Sequence, residues 1–277
     1  MEFIKRYCKD KTGLFFGLIL LSLYLVGILA QWITPEDPFA YDLHRGFEAP
    51  SWANWFGTDQ FGRDIMSRVI LATQVTAKLT GAAILFALVT GVPVGMIAGF
   101  IGGRLESVVM RITDMLLIFP MIMLAIVVVV IAGPSEYGVI IALGLSQAPQ
   151  FVRISRGVTL SIKEELYVEA AIAAGSGWLH IISRHIWPNI ATPIIVQATL
   201  TLPRFVLNAS ALSYLGLGVQ PPVPEWGQML NEAKEFMLTA PHLLIGPSVA
   251  LFLFVLSANL VGDALQETLN PKLNKRK

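Results

Sequence analysis

The chain has 277 residues, 55% of them hydrophobic and only 14% charged, with a formal net charge of +1 and a mean hydropathy of +0.65. That is too apolar for a soluble domain of this length and reads as a protein that crosses the membrane several times. One cysteine, Cys8, excludes an intrachain disulfide.

A membrane-crossing helix needs about 20 apolar residues, and six candidates satisfy this: 13–33, 79–100, 107–132, 137–157, 190–215 and 242–264. The expected fold is all-α, a polytopic bundle of six transmembrane helices. Residues 1–12 form an N-terminal tail, 34–78 an external segment, 79–265 the core with a polar loop at 158–189, and 266–277 a basic tail. Basic residues cluster on one side of this arrangement: Lys5, Arg6, Lys9 and Lys11, then Arg104 and Arg111, Arg153, Arg156, Lys163 and Arg184, and the tail from Lys272 to Lys277. The other side has Arg45, Arg63, Arg68 and Lys234, so the positive-inside rule puts both termini and the 158–189 loop in the cytoplasm. Span 13–33 follows a basic segment, but Gln31-Trp32-Ile33-Thr34-Pro35 is no cleavage site, and the span is expected to be retained.

The external segment contains Trp52, Trp55 and Phe56-Gly-Thr-Asp-Gln-Phe-Gly-Arg-Asp64. Its Gly-Thr-Asp and Gly-Arg-Asp units suit tight Asx-type turns closed by an Arg–Asp pair, on an interfacial loop anchored by the Trp rings. In the second span, Gly91, Gly95, Gly99 and Gly103 recur every four residues, which predicts one helix face for close packing and a turn at Gly102-Gly103. The third carries Asp114, expected to pair with Arg111, and Pro120, expected to kink it. Ser146, Gln147, Pro149 and Gln150 make the fourth polar for its depth, as helix glue or as the lining of a water-filled path.

The loop at 158–189 is polar and rich in helix formers. Ser161-x-x-Glu164 has capping-box spacing, which predicts a helix starting near Ile162 and ending at Gly175. Leu166, Ala170 and Ala174 would share one face beside an acidic stripe of Glu165 and Glu169. A second short helix, from Trp178 to Ile186, would carry His180 and Arg184 and stop at Pro188. Burying Lys163, Glu164, Glu165, Glu169 and Arg184 in lipid would cost about 2–3 kcal/mol each, so the unit belongs in water.

The fifth span contains Gln197, Thr199, Thr201, Pro203, Arg204 and Asn208. A mid-span arginine is costly unless it faces a cavity, so Arg204 is the leading pathway candidate, with Asn208, Gln147 and Gln197 as companions; pairing with a helix carbonyl or a partner's acid is the alternative. Leu212 to Gly227 is Pro- and Gly-dense and reads as a loop. There is no phosphate-binding G-x-x-x-x-G-K-[ST], no H-E-x-x-H, C-x-x-C or G-x-S-x-G, and His44, His180, His185 and His242 are scattered. An enzyme, a bound cofactor or metal and a nucleic-acid partner are therefore not expected.

Glu169-Ala-Ala-Ile-Ala-Ala-Gly175 with Trp187-Pro188-Asn189 resembles the EAA loop of permease subunits of ABC-type importers. The resemblance extends to 56–64, to Leu212-Ser-Tyr-Leu-Gly-Leu-Gly218, to Trp226-Gly227 and to Asn259-Leu-Val-Gly-Asp263, and is to the second permease of the peptide/nickel branch. It implies a type I importer fold in a bacterial inner membrane. Tyr167, Val168, Glu169, Ala170, Ala171 and Gly175 would then couple to one of two cytoplasmic ATPase subunits, which bind ATP and Mg. A second permease and an extracytoplasmic binding protein would complete the assembly. Gln74, Ala209 and Tyr214 depart from the usual residues, which leaves peptides or a nickel or metal chelate as substrate. A self-sufficient ion-coupled carrier is the rival from another class, although no clear inverted repeat supports it.

Overall fold

The computed structural model describes residues 10–269, so Cys8, most of the N-terminal tail and the tail beyond Leu269 lie outside the described residues. Within them the chain is helical, and its only bridge of β type joins Thr58 to Asp64. Helix α1 spans Lys11–Ile33, opened by the Asp10 carboxylate, which accepts from the Thr12 amide. Helix α2 spans Ile65–Ile101, capped by Asp64, which accepts from the Ser67 amide at 2.7 Å. At 37 residues and about 1.5 Å per residue it is far longer than a bilayer core. It also begins fourteen residues before the expected span, because Arg68, Thr73 and Thr76 are buried against protein, where hydropathy counts them as breaks.

The third span is not one kinked helix. α3 (Gly103–Ile118) and α4 (Met121–Ala132) meet at 96°. Phe119 before the proline is extended, and Pro120 becomes the cap of α4, so the proline ends one helix and starts another. Helix α5 spans Glu136–Lys163, and the Ser135 hydroxyl caps it at the Gly138 amide. After two short helices the chain enters α8 (Trp187–Tyr214), then α9 (Trp226–Ala233) and α10 (His242–Leu269). The stretch expected as a loop is therefore shared between the last turn of α8, a link at 215–225 and the first turn of α9.

Among the described residues, four helical stretches are long and apolar enough to cross a membrane: α1, α2, Trp178–Tyr214 and α10. The bent α3–α4 pair makes a fifth. Helix α5, at 28 residues, is long enough but more polar, which accommodates the six-crossing expectation. Two apolar cores hold the bundle. Leu79, Leu143, Phe151 and Phe205 centre one, between α2, α5 and α8; Val206, Trp226 and Phe254 centre the other, between α8, α9 and α10.

The α2–α5 pair is the most extensive helix contact, and glycine makes it possible. A Cβ on Gly91 would lie 2.6 Å from the Ala148 carbonyl, and one on Gly95 would lie 2.3 Å from the Val152 carbonyl and against the Ser155 hydroxyl. On Gly99 it would lie 2.9 Å from the Arg156 carbonyl. Gly103 leaves this face: it turns into α3 at φ +63 with open space around it. Gly95→Ala must push two backbones apart and is expected to cost about 1–3 kcal/mol, read as a lowered unfolding temperature in detergent. Gly81→Ala, with nothing within 4 Å, should leave that temperature unchanged or raise it.

Candidate functional site

One end of the bundle carries a short helix pair. The capping box does not start a helix here: Ser161 lies in the last turn of α5, which runs on to Lys163. Ile162 is buried and the Lys163 ammonium donates to the Phe100 carbonyl at 2.7 Å, so packing of this turn against the end of α2 overrides the local signal. Glu164 and Glu165 form the corner, and α6 spans Leu166–Ala173. Its far end is a Schellman cap. The Gly175 amide donates to the Ile172 carbonyl, the Ser176 amide to the Ala171 carbonyl, and Gly175 takes the φ of +79 that this motif asks of glycine.

Helix α6 has a clear inside and outside. Val168 is fully buried and Ala171 packs on the main core, so these two fasten the helix to the bundle. Leu166 is 82% exposed, and Glu169, Ala170, Ile172, Ala173 and Ala174 also face outward. Tyr167 is held at its hydroxyl, which accepts from Asn189 Nδ2 at 3.3 Å, and its ring lies 5.9 Å from that of His185. An exposed surface of two large apolar side chains, several alanines and one carboxylate is thus displayed on a helix whose position is clamped from beneath.

Pro188 does not stop the following helix. α7 (Trp178–Ile181) widens into a π-helical turn, Ile182–Ile186, and passes directly into α8. The Trp187 amide donates to the Ile182 carbonyl, five residues back. Pro188 is tolerated because it falls in the first turn after the widened segment, where its missing N–H does the least harm. His180 and Arg184 are both exposed, and the rings of His180 and His185 are 6.2 Å apart.

Between α3 and α5, Asp114 accepts from Arg153 at 2.6 Å rather than pairing with Arg111, and Glu106 accepts from Arg156 Nε at 2.7 Å. The neighbouring helix supplies closer donors than Asp114's own turn.

Of the four expected pathway residues, Gln147 lies on α5 and Gln197, Arg204 and Asn208 lie on α8. Gln147 is buried and donates to Gln150 on its own helix at 2.5 Å. Gln197 donates to the Thr201 hydroxyl at 3.1 Å. Asn208 donates to the Arg204 carbonyl at 2.7 Å and lies 3.7 Å from Met121 Sδ of α4. The Arg204 guanidinium is exposed on α8 and makes no ion pair or hydrogen bond among the described residues.

The opposite end of the bundle is a polar cap. Gly57 and Gly62 adopt the left-handed φ values of tight turns, and Asp59 closes the loop by accepting from the Phe61 and Arg63 amides and from Arg63 Nε at 2.6 Å. The expected Arg–Asp closure is present. Sequence reading missed its extension: Arg68 also reaches Asp59, and Glu232 on α9 lies 3.5 Å from Arg63 and 3.4 Å from Arg68. Both arginines are only 1% exposed. It also missed Glu225, a fully buried carboxylate that caps α9 at the Gln228 amide and accepts from the Thr76 and Ser210 hydroxyls. Nearby, Arg45 is held above the usual arginine pKa by its hydrogen bonds to Glu36, with Glu48 adding to the effect.

Residues 91–275 match the family described as binding-protein-dependent transport system inner membrane component, and residues 1–50 match the N-terminal TM domain of oligopeptide transport permease C. The chain is 40% identical over 273 residues to the glutathione transport system permease protein GsiD of Pectobacterium atrosepticum, covering 98% of this chain and 91% of that one. It is 38% identical over 272 residues to the dipeptide transport system permease protein DppC of Alkalihalophilus pseudofirmus, covering 98% and 90%. In fold it is similar to a chain of the inward-facing MetNI methionine ABC transporter, with a TM-score of 0.60 over 74% of this chain and 98% of that one, at 20% identity. A helical bundle that crosses a membrane, matched along nearly its whole length by transport permeases, belongs to the family of binding-protein-dependent inner-membrane transport components.

Proposed function

We propose that this permease is one of two that form the translocation path of an ATP-driven importer of small peptides, and that it docks a cytoplasmic ATPase through α6. The observation that carries this reading is α6 itself. It is fastened by Val168 and Ala171, presents Leu166, Glu169, Ala170 and Ile172 outward, and has no partner for that surface among the described residues. ATP and Mg belong to the ATPase subunits, and an external binding protein delivers the substrate. The assignment of the α6 end and both termini to the cytoplasm is supported by the bias of basic residues, since Arg104, Arg111, Arg153, Arg156, Lys163 and Arg184 fall in the segments read as internal.

The substrate class follows from the relatives' names, which specify glutathione and a dipeptide. A guanidinium without a partner among the described residues suits a peptide carboxylate, which it can grip through two parallel hydrogen bonds. Arg204→Ala is expected to raise the apparent KM for uptake while leaving membrane levels unchanged; unaltered uptake kinetics would remove Arg204 from the path. The class itself is tested by titrating the cognate binding protein with glutathione, di- and oligopeptides, and nickel and its chelates. Peptide binding is expected, and binding of a metal chelate instead would overturn the peptide reading.

A further inference from the structure

The polar cap presents two aromatic rings whose display no contact among the described residues explains. Trp52 is 96% exposed and Trp55 is 65% exposed. They are not on a loose loop, because Asn54 between them is buried and tied on three sides. Its amide donates to the Ser51 hydroxyl at 3.1 Å, its Nδ2 to Asp64 at 2.8 Å, and its Oδ1 accepts from Arg45 at 2.5 Å. The turn that carries the rings is therefore fixed to the cap of α2, and their display costs little further ordering.

Their position identifies what they meet. Trp52 and Trp55 line a depression of about 300 Å³ together with Pro35, two residues beyond the end of α1, and Met66, in the first turn of α2. They therefore stand where one membrane helix ends and the next begins. The exposed side of α1 carries Leu18, Leu21, Leu25, Ile28 and then Trp32, an unbroken apolar strip leading to that junction. Indole suits the boundary between headgroups and acyl chains, since its body is apolar and its N–H still needs a polar partner.

From this continuity we infer that Trp52 and Trp55 insert into the headgroup boundary of the membrane leaflet on that side and seat the polar cap on the bilayer. The occupant of this surface is phospholipid. The inference rests on the chain crossing a bilayer and is independent of substrate and of α6.

The test places the photoreactive p-benzoylphenylalanine at position 52 or 55 in the complete transporter in native membranes, which keeps an aromatic ring at each site. The same analogue at Leu25 on α1 serves as the lipid-facing reference. Irradiation is expected to give phospholipid adducts at both positions, in yields comparable with that at Leu25. Cross-links to the binding protein or to the second permease would overturn the inference. So would an absence of adduct at 52 and 55 where position 25 gives one.

Discussion

Glu169→Lys is expected to abolish ATP-driven uptake and the co-purification of the ATPase, while the chain still accumulates in the membrane at its normal level. Glu169 is exposed in the first turn of α6 and makes no ion pair or hydrogen bond through its side chain among the described residues. Its internal contribution is the favourable placement of an acid near a helix N-terminus, about 0.3–1 kcal/mol, too little to unfold the protein. Charge reversal in the middle of the proposed docking surface would act on the partner instead, where opposed charges change affinity and specificity far more. Val168→Asp makes the contrast. It buries a carboxylate at a position with no exposure, so the unit should detach and both membrane level and uptake should fall together. Intact uptake with Glu169→Lys would remove α6 from the coupling surface.

Asp59→Ala is expected to be the most destabilising single change in the polar cap. It removes the carboxylate that lies 2.6 Å from Arg63 and 3.6 Å from Arg68, and the acceptor for two backbone amides of the turn. Two adjacent buried guanidinium groups would remain, with Glu232 as their shared counter-ion. Removing one partner of a buried ionic cluster costs about 3–5 kcal/mol, a large share of the roughly 5–15 kcal/mol that holds a typical domain. Chain levels should fall sharply and the unfolding temperature in detergent should drop by many degrees. Glu232→Gln should cost less, because Glu232 is partly open to solvent and Asp59 remains. An unchanged unfolding temperature for Asp59→Ala would mean that water already solvates the arginines.

Much of the architecture was legible because it is written in local composition. Runs of apolar residues located the long helices, the four-residue glycine spacing located the tightest helix contact, and Gly175 located the end of α6. What failed was local signal that distant packing overrode. Ser161 and Glu164 have capping-box spacing, yet Ile162 and Lys163 are drawn into α5 by contacts with residues about sixty positions away. Pro188 reads as a stop, but a π turn absorbs it. Arg111 is the sequence neighbour of Asp114, whereas Arg153 is its partner in space, 39 residues on. Glu232 could not be read as the counter-ion of Arg63 and Arg68, because nothing within 160 residues links them. A signal for Glu225 was present in the form of an acid directly before Trp226-Gly227, three residues ahead of Gln228, but the surrounding prolines masked a helix start.

The central claim is that α6 faces the cytoplasm and meets an ATPase, and site-specific cross-linking tests it most directly. In a Cys8→Ser background, Ala170→Cys places one thiol on the exposed face of α6 without disturbing a buried contact. A short thiol-reactive cross-linker applied to membranes of the complete transporter should join this chain to the ATPase subunit. The cross-link should disappear when Glu169→Lys is added. Labelling of Ala170→Cys from the external side of sealed cells, or a cross-link to the binding protein instead, would contradict the account.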